Sequence, residues 1–402
     1  MEHRQDFLSE ELYLNTNILL TGGRAPATYY FARLLKQQGK TLFMAESLPQ
    51  HLCMHSNLFE KNIHVCSPNE NRDAYIQDLI KIIQENNIDL LIPTCEEVFH
   101  IAYGYEQLSQ YCRVFCEPLE KINVFHHKGL FINTLSGFFS KYITAPFTVV
   151  VDTTTIHSKA EIASILKANH INLNHEYVCK PAYSRFGTEV AFKKEHEIIE
   201  YLYFKKTIWV IQEKIEGIQI CTYAIADKGF MKYYSAYQTN DQVGLGATIY
   251  FEPFRNAKLE EFMKLYIEKY QYTGQIAFDL IMTNKGEFYP IECNPRTTSG
   301  ICLFPLQKHE NNTASYIIGT ETTMLGLAML QTLLSKNFFK QLRKMAKAKE
   351  IIWNSKDRKP FFGQISSFFY LLKEAKRRKI SSYQMSTLDI EWNGEEVKIV
   401  NE

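Results

Sequence analysis

Apolar residues in this chain fall in short runs divided by longer amphipathic stretches, and that alternation predicts its first elements. Asn17–Thr21 (NILLT) reads as a buried strand, Gly22-Gly23-Arg24 as a turn, and about Pro26 to Gln38 as a helix closed by Gly39. Thr41–Ala45 is the next strand, ending at Glu46. Asp73–Asn86 has helical period, Asp89–Pro93 (DLLIP) is a strand, and Val114–Cys116 is a further short one. The β–turn–α–β order predicts a parallel α/β sheet, but the turn lacks GxGxxG, so a ligand other than a nicotinamide dinucleotide is expected. Thr94-Cys95-Glu96-Glu97 falls at the carboxyl end of a strand, where open α/β sheets bind ligands. Either Glu96 and Glu97 touch substrate there, or Glu97 starts the next helix, where an acid suits the dipole.

A boundary near Leu119–Ile122 precedes a predicted helix over Asn123–Ser140 containing His126, His127 and Lys128. Adjacent histidines on a helix point in different directions, which argues against a metal pair. Ala145–Val151 is a strand and Ser158–Asn169 a helix. Tyr177–Pro181 is a strand carrying Lys180 at its end, followed by the loop Ala182–Thr188 and the strand Glu189–Phe192. A lysine there can hold phosphate oxygens, with loop N–H groups adding donors. Ile208–Lys214 is a strand, Ile220–Ala226 and Phe230–Gln238 form a meander, Gly244–Glu252 adds a strand, and Lys258–Tyr270 is a helix.

The next stretch, GQIAFDLIMTNKGEFYPIECNPR, reads as a hairpin: Gln275–Met282, a turn over Thr283–Glu287, and Phe288–Cys293. It places Asp279 in one strand, Glu292 near the end of the other, and Asn294 and Arg296 just beyond. Two carboxylates and an amide oxygen suit a hard cation such as Mg²⁺, and Arg296 suits phosphate or an oxyanion. The alternative is a surface hairpin with solvated acids; the apolar flanks of Asp279 and the density of polar groups in Glu292–Arg296 argue against it. Helices follow over Glu321–Leu334, Phe338–Glu350 and Ile365–Arg378, the last ending in the basic run Lys373–Lys379, read as a solvated helix end. Thr387–Trp392 and Glu396–Val400 are predicted as a closing hairpin around Asn393-Gly394.

Composition narrows the class. The chain has 402 residues, 46% hydrophobic and 22% charged, which fits a globular protein of several domains. A net charge of +1 gives no cause to expect nucleic acid, and no run is long and apolar enough to span a bilayer, so no membrane partner is expected. The polar start has no signal-peptide core, and nine scattered cysteines without a CxxC pair fit reduced thiols in a cytoplasmic protein.

Lys180, the Ile211–Lys214 strand, Asp279, Glu292, Asn294 and Arg296 come in the order of an ATP-grasp enzyme, and the chain from about Asn17 to Phe304 resembles the branch related to carbamoyl phosphate synthetase and biotin carboxylase, the carboxylate–amine ligase type. The resemblance implies a mixed α/β and α+β fold. A Rossmann-like preATP-grasp domain would span residues 1–120, two ATP-grasp lobes 121–205 and 206–320, and a helical extension 321–402. It implies that Lys128, Lys180, Ser184 and Arg185 bind phosphate, that Gln212, Glu213, Lys214 and Glu216 bind adenosine, that Asp279, Glu292 and Asn294 hold Mg²⁺ (or Mn²⁺), and that Arg296 with Lys180 acts on the transferred phosphoryl. The implied reaction joins a small-molecule or peptide carboxylate to an amine through an acyl phosphate, using ATP, in a monomer or homodimer. Carboxylation, simple phosphoryl transfer and a nucleotide-binding scaffold stay open. The loop YSRFGT is poorer in glycine than in many relatives, Gln219 replaces a ribose-binding Glu, and Asp279 is shorter than the usual Glu.

Overall fold

The computed structural model describes residues 16–138, 143–171, 175–184, 189–243, 247–306, 316–332 and 338–394. Among them, three sheets organise the chain. The first is wholly parallel and comprises β1 (Asn17–Thr21), β2 (Thr41–Glu46), β3 (Phe59–His64), β4 (Leu90–Ile92) and β5 (Arg113–Val114), in the order β3-β2-β1-β4-β5. Its helices are α1 (Pro26–Gln37), α2 (Arg72–Glu85), α3 (Glu97–Tyr103) and α4 (Tyr105–Leu108). β1 is apolar through Ile18–Leu20 because both its faces are covered. Ile18 and Leu20 join Tyr29, Phe31 and Leu35 of α1, while Leu19 joins Tyr75, Ile76 and Leu79 of α2. Strand order reverses at β1, which opens a crevice beyond the carboxyl ends of β1 and β4. Gly22 shapes one wall: its φ is +74°, and a Cβ there would lie 2.6 Å from Thr94 Oγ1.

The predicted helix over Asn123–Ser140 is two helices, α5 (Leu119–His126) and α6 (Lys128–Thr134). His127 breaks the run. Its Nδ1 accepts the N–H groups of Gly129 and Leu130, both at 3.1 Å, and so caps α6. The imidazole must stay neutral for this, and burial together with neighbouring Lys128 lowers its pKa to about 4. The cap sets Lys128 at the first position of α6.

The second sheet is antiparallel, with order β6-β9-β7-β8: β6 (Thr148–Asp152), β7 (Glu176–Pro181), β8 (Ala191–Lys194) and β9 (Ile208–Glu213). It is backed by α7 (Lys159–Ala168) and α8 (Glu195–Tyr203) through Ile162, Leu166, Ile198 and Leu202. The third sheet carries β10 (Ile218–Asp227), β11 (Phe230–Val243), β12 (Ala247–Pro253), β13 (Gly274–Met282) and β14 (Phe288–Asn294). Helix α9 (Ala257–Lys269) packs Phe262, Met263 and Tyr266 onto Ile276, Phe278 and Leu280. Short strands β15 (Ile317–Ile318), β16 (Thr323–Met324) and β17 (Lys349–Glu350) extend it.

After the third sheet come α10 (Gly326–Thr332), α11 (Phe338–Lys347), α12 (Lys359–Arg378) and α13 (Ser382–Met385). The helix expected from Glu321 starts only at Gly326, because Thr323 and Met324 pair with β12; Leu333 and Leu334 lie outside the described residues. No described helix is long and apolar enough to cross a membrane.

The first strand expected of the closing hairpin is not a strand: residues 386–390 are turns and 391–393 are in no strand among the described residues, while Glu396–Val400 lie outside them. The segment instead lies on the first sheet's helices. Asn69 Nδ2 donates to the carbonyls of Leu388 (2.9 Å) and Glu391 (3.0 Å), and Ser67 Oγ donates to that of Asp389 (3.0 Å). Trp392 is fully buried against Phe99 and His100, with the Arg72 guanidinium 4.9 Å from its ring. A lone two-stranded hairpin is marginal in water, and this packing buries the Trp392 ring completely.

Asp389 anchors the segment. Arg24 donates to both its carboxylate oxygens, at 2.6 and 2.8 Å, and holds Glu46 on its other side through Nε (3.2 Å) and Nη2. Burial alone would raise both carboxyls, but Arg24 overcomes it and holds both below their ordinary values. Arg24→Ala leaves two nearly buried carboxylates unpaired, so a loss of about 3–5 kcal/mol is expected, read as a shift in the urea midpoint. A loss under about 1 kcal/mol would contradict this clamp.

Candidate functional site

The hairpin of β13 and β14 builds the floor. Its register sets Asp279 directly opposite Glu292, and a bulge follows at Asp279/Leu280. Directly opposed residues share one face, so the two carboxylates are neighbours. Asp279 Oδ1 accepts from Cys221 Sγ at 2.9 Å, and Asn294 Nδ2 approaches its Oδ2 at 3.4 Å. Burial first and Glu292 second raise the Asp279 carboxyl toward about 6.

Two lysines face this pair from other elements. Lys180, near the end of β7, is 4% exposed; its Nζ donates to Gln212 Oε1 (3.0 Å) on β9 and to the Ile291 carbonyl (2.9 Å) on β14. Burial lowers its pKa to about 8, with Lys128 adding to the fall and Glu292 and Asp279 opposing it. Lys128, on α6, is 1% exposed, with Nζ 3.1 Å from the Ser184 carbonyl and 3.5 Å from Glu292 Oε1. Asp279, Glu292 and Arg296 are only partly buried, so dry lysines lie behind acids that reach solvent.

Arg296 follows β14 directly. Its Nη2 donates to Asn294 Oδ1 at 3.0 Å, and its Nε lies 2.7 Å from Glu96 Oε1. Glu96 comes from the crevice end of β4, so this ion pair joins the first sheet to the hairpin. Gln275 on β13 makes a second tie: its Nε2 donates to the Pro93 carbonyl (3.1 Å), while Oε1 accepts from Tyr223 and Thr297 at 2.5 Å each. The crevice and the carboxylate pair therefore adjoin.

Most residues expected at the site converge: Lys128, Lys180, Gln212, Asp279, Glu292, Asn294 and Arg296, with Ser184 joining through its carbonyl. Others point elsewhere. Lys214 Nζ pairs with Glu176 at 2.5 Å on the surface, Glu216 is exposed, and Glu213 Oε1 accepts from the Phe147 N–H at 2.8 Å. Arg185 lies outside the described residues. Sequence reasoning missed Cys221 and the Ile291 carbonyl. Cys221 had a readable signal, since it sits inside an apolar strand; a backbone carbonyl has none.

The donor set fits a hard divalent ion in part. Asp279 and Glu292 are paired oxygen donors, and their mutual repulsion favours a cation between them. Asn294 turns its NH₂ to Asp279 and its carbonyl to Arg296, so in this arrangement the amide serves those side chains. No group of three or more His, Cys, Asp or Glu able to hold a metal occurs among the described residues. An ion here would complete its shell from water and substrate phosphate, as Mg²⁺ commonly does.

Comparison with known proteins bears on this arrangement. Residues 146–300 match the family model of the ATP-grasp domain. No curated protein matches the chain. Among solved structures, the L-amino acid ligase from Bacillus licheniformis is 14% identical, with a TM-score of 0.53 over 71% of this chain and 68% of that one. The N5-carboxyaminoimidazole synthetase from Staphylococcus aureus is 11% identical, with a TM-score of 0.54 over 72% of each chain. The biotin carboxylase of Campylobacter jejuni, solved as a β-γ-ATP complex, is 15% identical, with a TM-score of 0.55 over 73% and 68%. At these identities the likeness is one of fold.

One buried acid in the crevice makes folding depend on pH. Glu97 starts α3, is 2% exposed, and its Oε2 has no hydrogen-bond partner among the described residues. Burial first, then Glu46, raises its pKa from the ordinary 4.5 to about 8, against Arg24. Glu97 thus takes up a proton on folding, so its contribution is complete below about pH 4.5 and is lost as pH rises through about 8. Glu97→Gln is expected to flatten the decline in unfolding free energy between those limits. Equal slopes for variant and parent would contradict a protonated Glu97.

Proposed function

We propose that this chain, which carries an ATP-grasp domain over residues 146–300, is an ATP-dependent ligase joining a carboxylate to an amine. The observation that supports this most is the convergence of Lys128, Lys180 and Arg296, from three separate elements, on the opposed pair Asp279–Glu292. Such a field of fixed charge suits a transferring phosphoryl group, whose transition state needs alignment and neutralisation more than proton transfer.

The chemistry follows from the leaving group. A carboxylate and an amine do not condense in water because hydroxide leaves poorly. Transfer of the γ-phosphoryl of ATP to a carboxylate oxygen gives an acyl phosphate and ADP; the amine nitrogen then attacks the acyl carbon, phosphate leaves, and the amine loses a proton. Lys180 and Lys128 hold phosphate oxygens, and both are pre-positioned by bonds to carbonyls of β14 and of the loop at Ser184. Asp279 and Glu292, with Asn294 after its amide turns over, would hold Mg²⁺ or Mn²⁺, which when bound neutralises phosphate charge. Arg296, steadied by Glu96, faces the transferred group and then the oxyanion. The end of β9, Gln212 to Lys214, with Glu216 and the loop through Ser184 and Arg185, receives the nucleoside. The N-terminal crevice, adjoining Arg296, receives the acceptor. The protein works in the cytoplasm on small-molecule or peptide substrates, as a monomer or homodimer.

Phosphate and ADP release, screened against a matrix of carboxylic acids (bicarbonate included) and amines, with mass spectrometry of products, tests the reading. ADP release that requires both an acid and an amine, with an amide product, is expected. Lys180→Met and Glu292→Gln should each lower ADP release by about 100-fold or more while circular dichroism shows the chain still folded at the assay temperature. Full turnover by either variant would overturn the assignment.

A further inference from the structure

The ATP site leaves α11 and α12 unexplained. Helix α11 buries no residue, and α12 buries only Pro360 and Ala375 across twenty positions. Helices of a globular protein ordinarily bury an apolar stripe; here the stripes face outward. On α12, Phe362 (59% exposed), Ile365, Phe368, Phe369 (64%) and Leu372 recur at helical spacing on one side. On α11, Phe338, Phe339 (76% exposed) and Leu342 do the same, while Lys340, Arg343, Lys344 and Lys347 occupy the opposite side.

Charge is as uneven as hydropathy. Residues 338–379 hold thirteen Lys or Arg against three Asp or Glu, a net +10 in a chain whose total is +1, so the other residues sum to −9. Contacts of these cations among the described residues include Lys349 with Glu321, Arg377 with Glu374 and Lys344 over the Tyr250 ring. The rest of the run Lys373–Arg378 continues the exposed end of α12.

We infer that α11 and α12 form a peripheral docking surface for a lipid bilayer bearing anionic headgroups, with the phenylalanines entering the interface and the Lys/Arg groups meeting the headgroups. Amphipathic helices of this make-up lie in the plane of a membrane without crossing it, so the absence of a spanning segment does not bear on it. Charge complementarity selects the occupant. A symmetric contact between two copies through these helices would bring together two segments that each carry an excess of Lys and Arg. Nucleic acid would satisfy the charge and stack on aromatics, but has no use for Leu342, Ile365 and Leu372, which a bilayer accepts equally with phenylalanine. The inference is independent of the ligase reading.

Sedimentation of the purified full chain with phosphatidylcholine vesicles, with and without phosphatidylglycerol, tests it. Binding that requires phosphatidylglycerol and weakens with added salt is expected. Two variants separate the contributions: Phe362→Ser/Phe368→Ser/Phe369→Ser and Lys376→Glu/Arg378→Glu/Lys379→Glu. All six side chains are exposed, so unfolding midpoints should hold, while vesicle affinity falls at least roughly tenfold in each. The inference is overturned by absence of binding to phosphatidylglycerol vesicles, or by full binding of the phenylalanine variant. A dimer or an RNA complex that depends on the same phenylalanines, without vesicle binding, overturns it equally.

Discussion

The two ammonium groups behind Glu292 lie where water scarcely reaches, and their charge has to be balanced from within the protein. Lys128 and Lys180 are almost wholly buried, which is tolerable because Lys128 meets the Ser184 carbonyl and Glu292, and Lys180 donates to Gln212 Oε1 and the Ile291 carbonyl. The requirement reaches well beyond the lysines. α6 must begin where Lys128 meets β14, β7 must end where Lys180 reaches Ile291, and the Asp279–Glu292 register must hold for both cations to be balanced. The same contacts that tie α6 and the second sheet to β14 assemble a field suited to phosphate, so cohesion and proposed function rest on the same side chains.

A second buried charge system governs the N-terminal crevice. Arg24 grips Glu46 from the end of β2 and Asp389 from the C-terminal segment. Trp392 and Asn123 extend the contact toward Lys128: Trp392 Nε1 lies 3.4 Å from Asn123 Oδ1, and Asn123 Nδ2 donates to the Tyr183 hydroxyl at 2.9 Å. Tyr183 precedes Ser184, whose carbonyl holds Lys128. The last described residues are thereby packed between the crevice and the lysine–carboxylate cluster, and both buried systems share one continuous set of contacts.

Sequence pattern made much of this legible, and its failures have physical causes. The hairpin of β13 and β14 could be read because strand period and turn chemistry fix which side chains share a face; Asp279 and Glu292 pair as their positions implied. Four strands of the parallel sheet were legible from short apolar runs, but β3 was not, because its sequence FEKNIH is mostly exposed and carries no such run. The break at His127 was not, because a neutral imidazole capping two N–H groups leaves no trace in helical periodicity. The fate of the C-terminal segment was hidden for a different reason. Asn393-Gly394 is a sound local turn signal, but the partners that decide the outcome, Arg24 and Asn69, lie more than 300 residues away. Exposed Phe362, Phe368 and Phe369 were invisible for the converse reason, since an amphipathic helix looks alike whether its apolar face turns inward or outward.

The claim that Lys128, Lys180 and the Asp279–Glu292 pair form a nucleotide phosphate site is tested most directly by a crystal structure grown with Mn²⁺ and a non-hydrolysable ATP analogue. The account predicts an anomalous manganese peak in contact with both Asp279 and Glu292, and phosphate oxygens against Lys128 and Lys180. An analogue bound elsewhere, or manganese at another site while these side chains stay paired with one another, would contradict it.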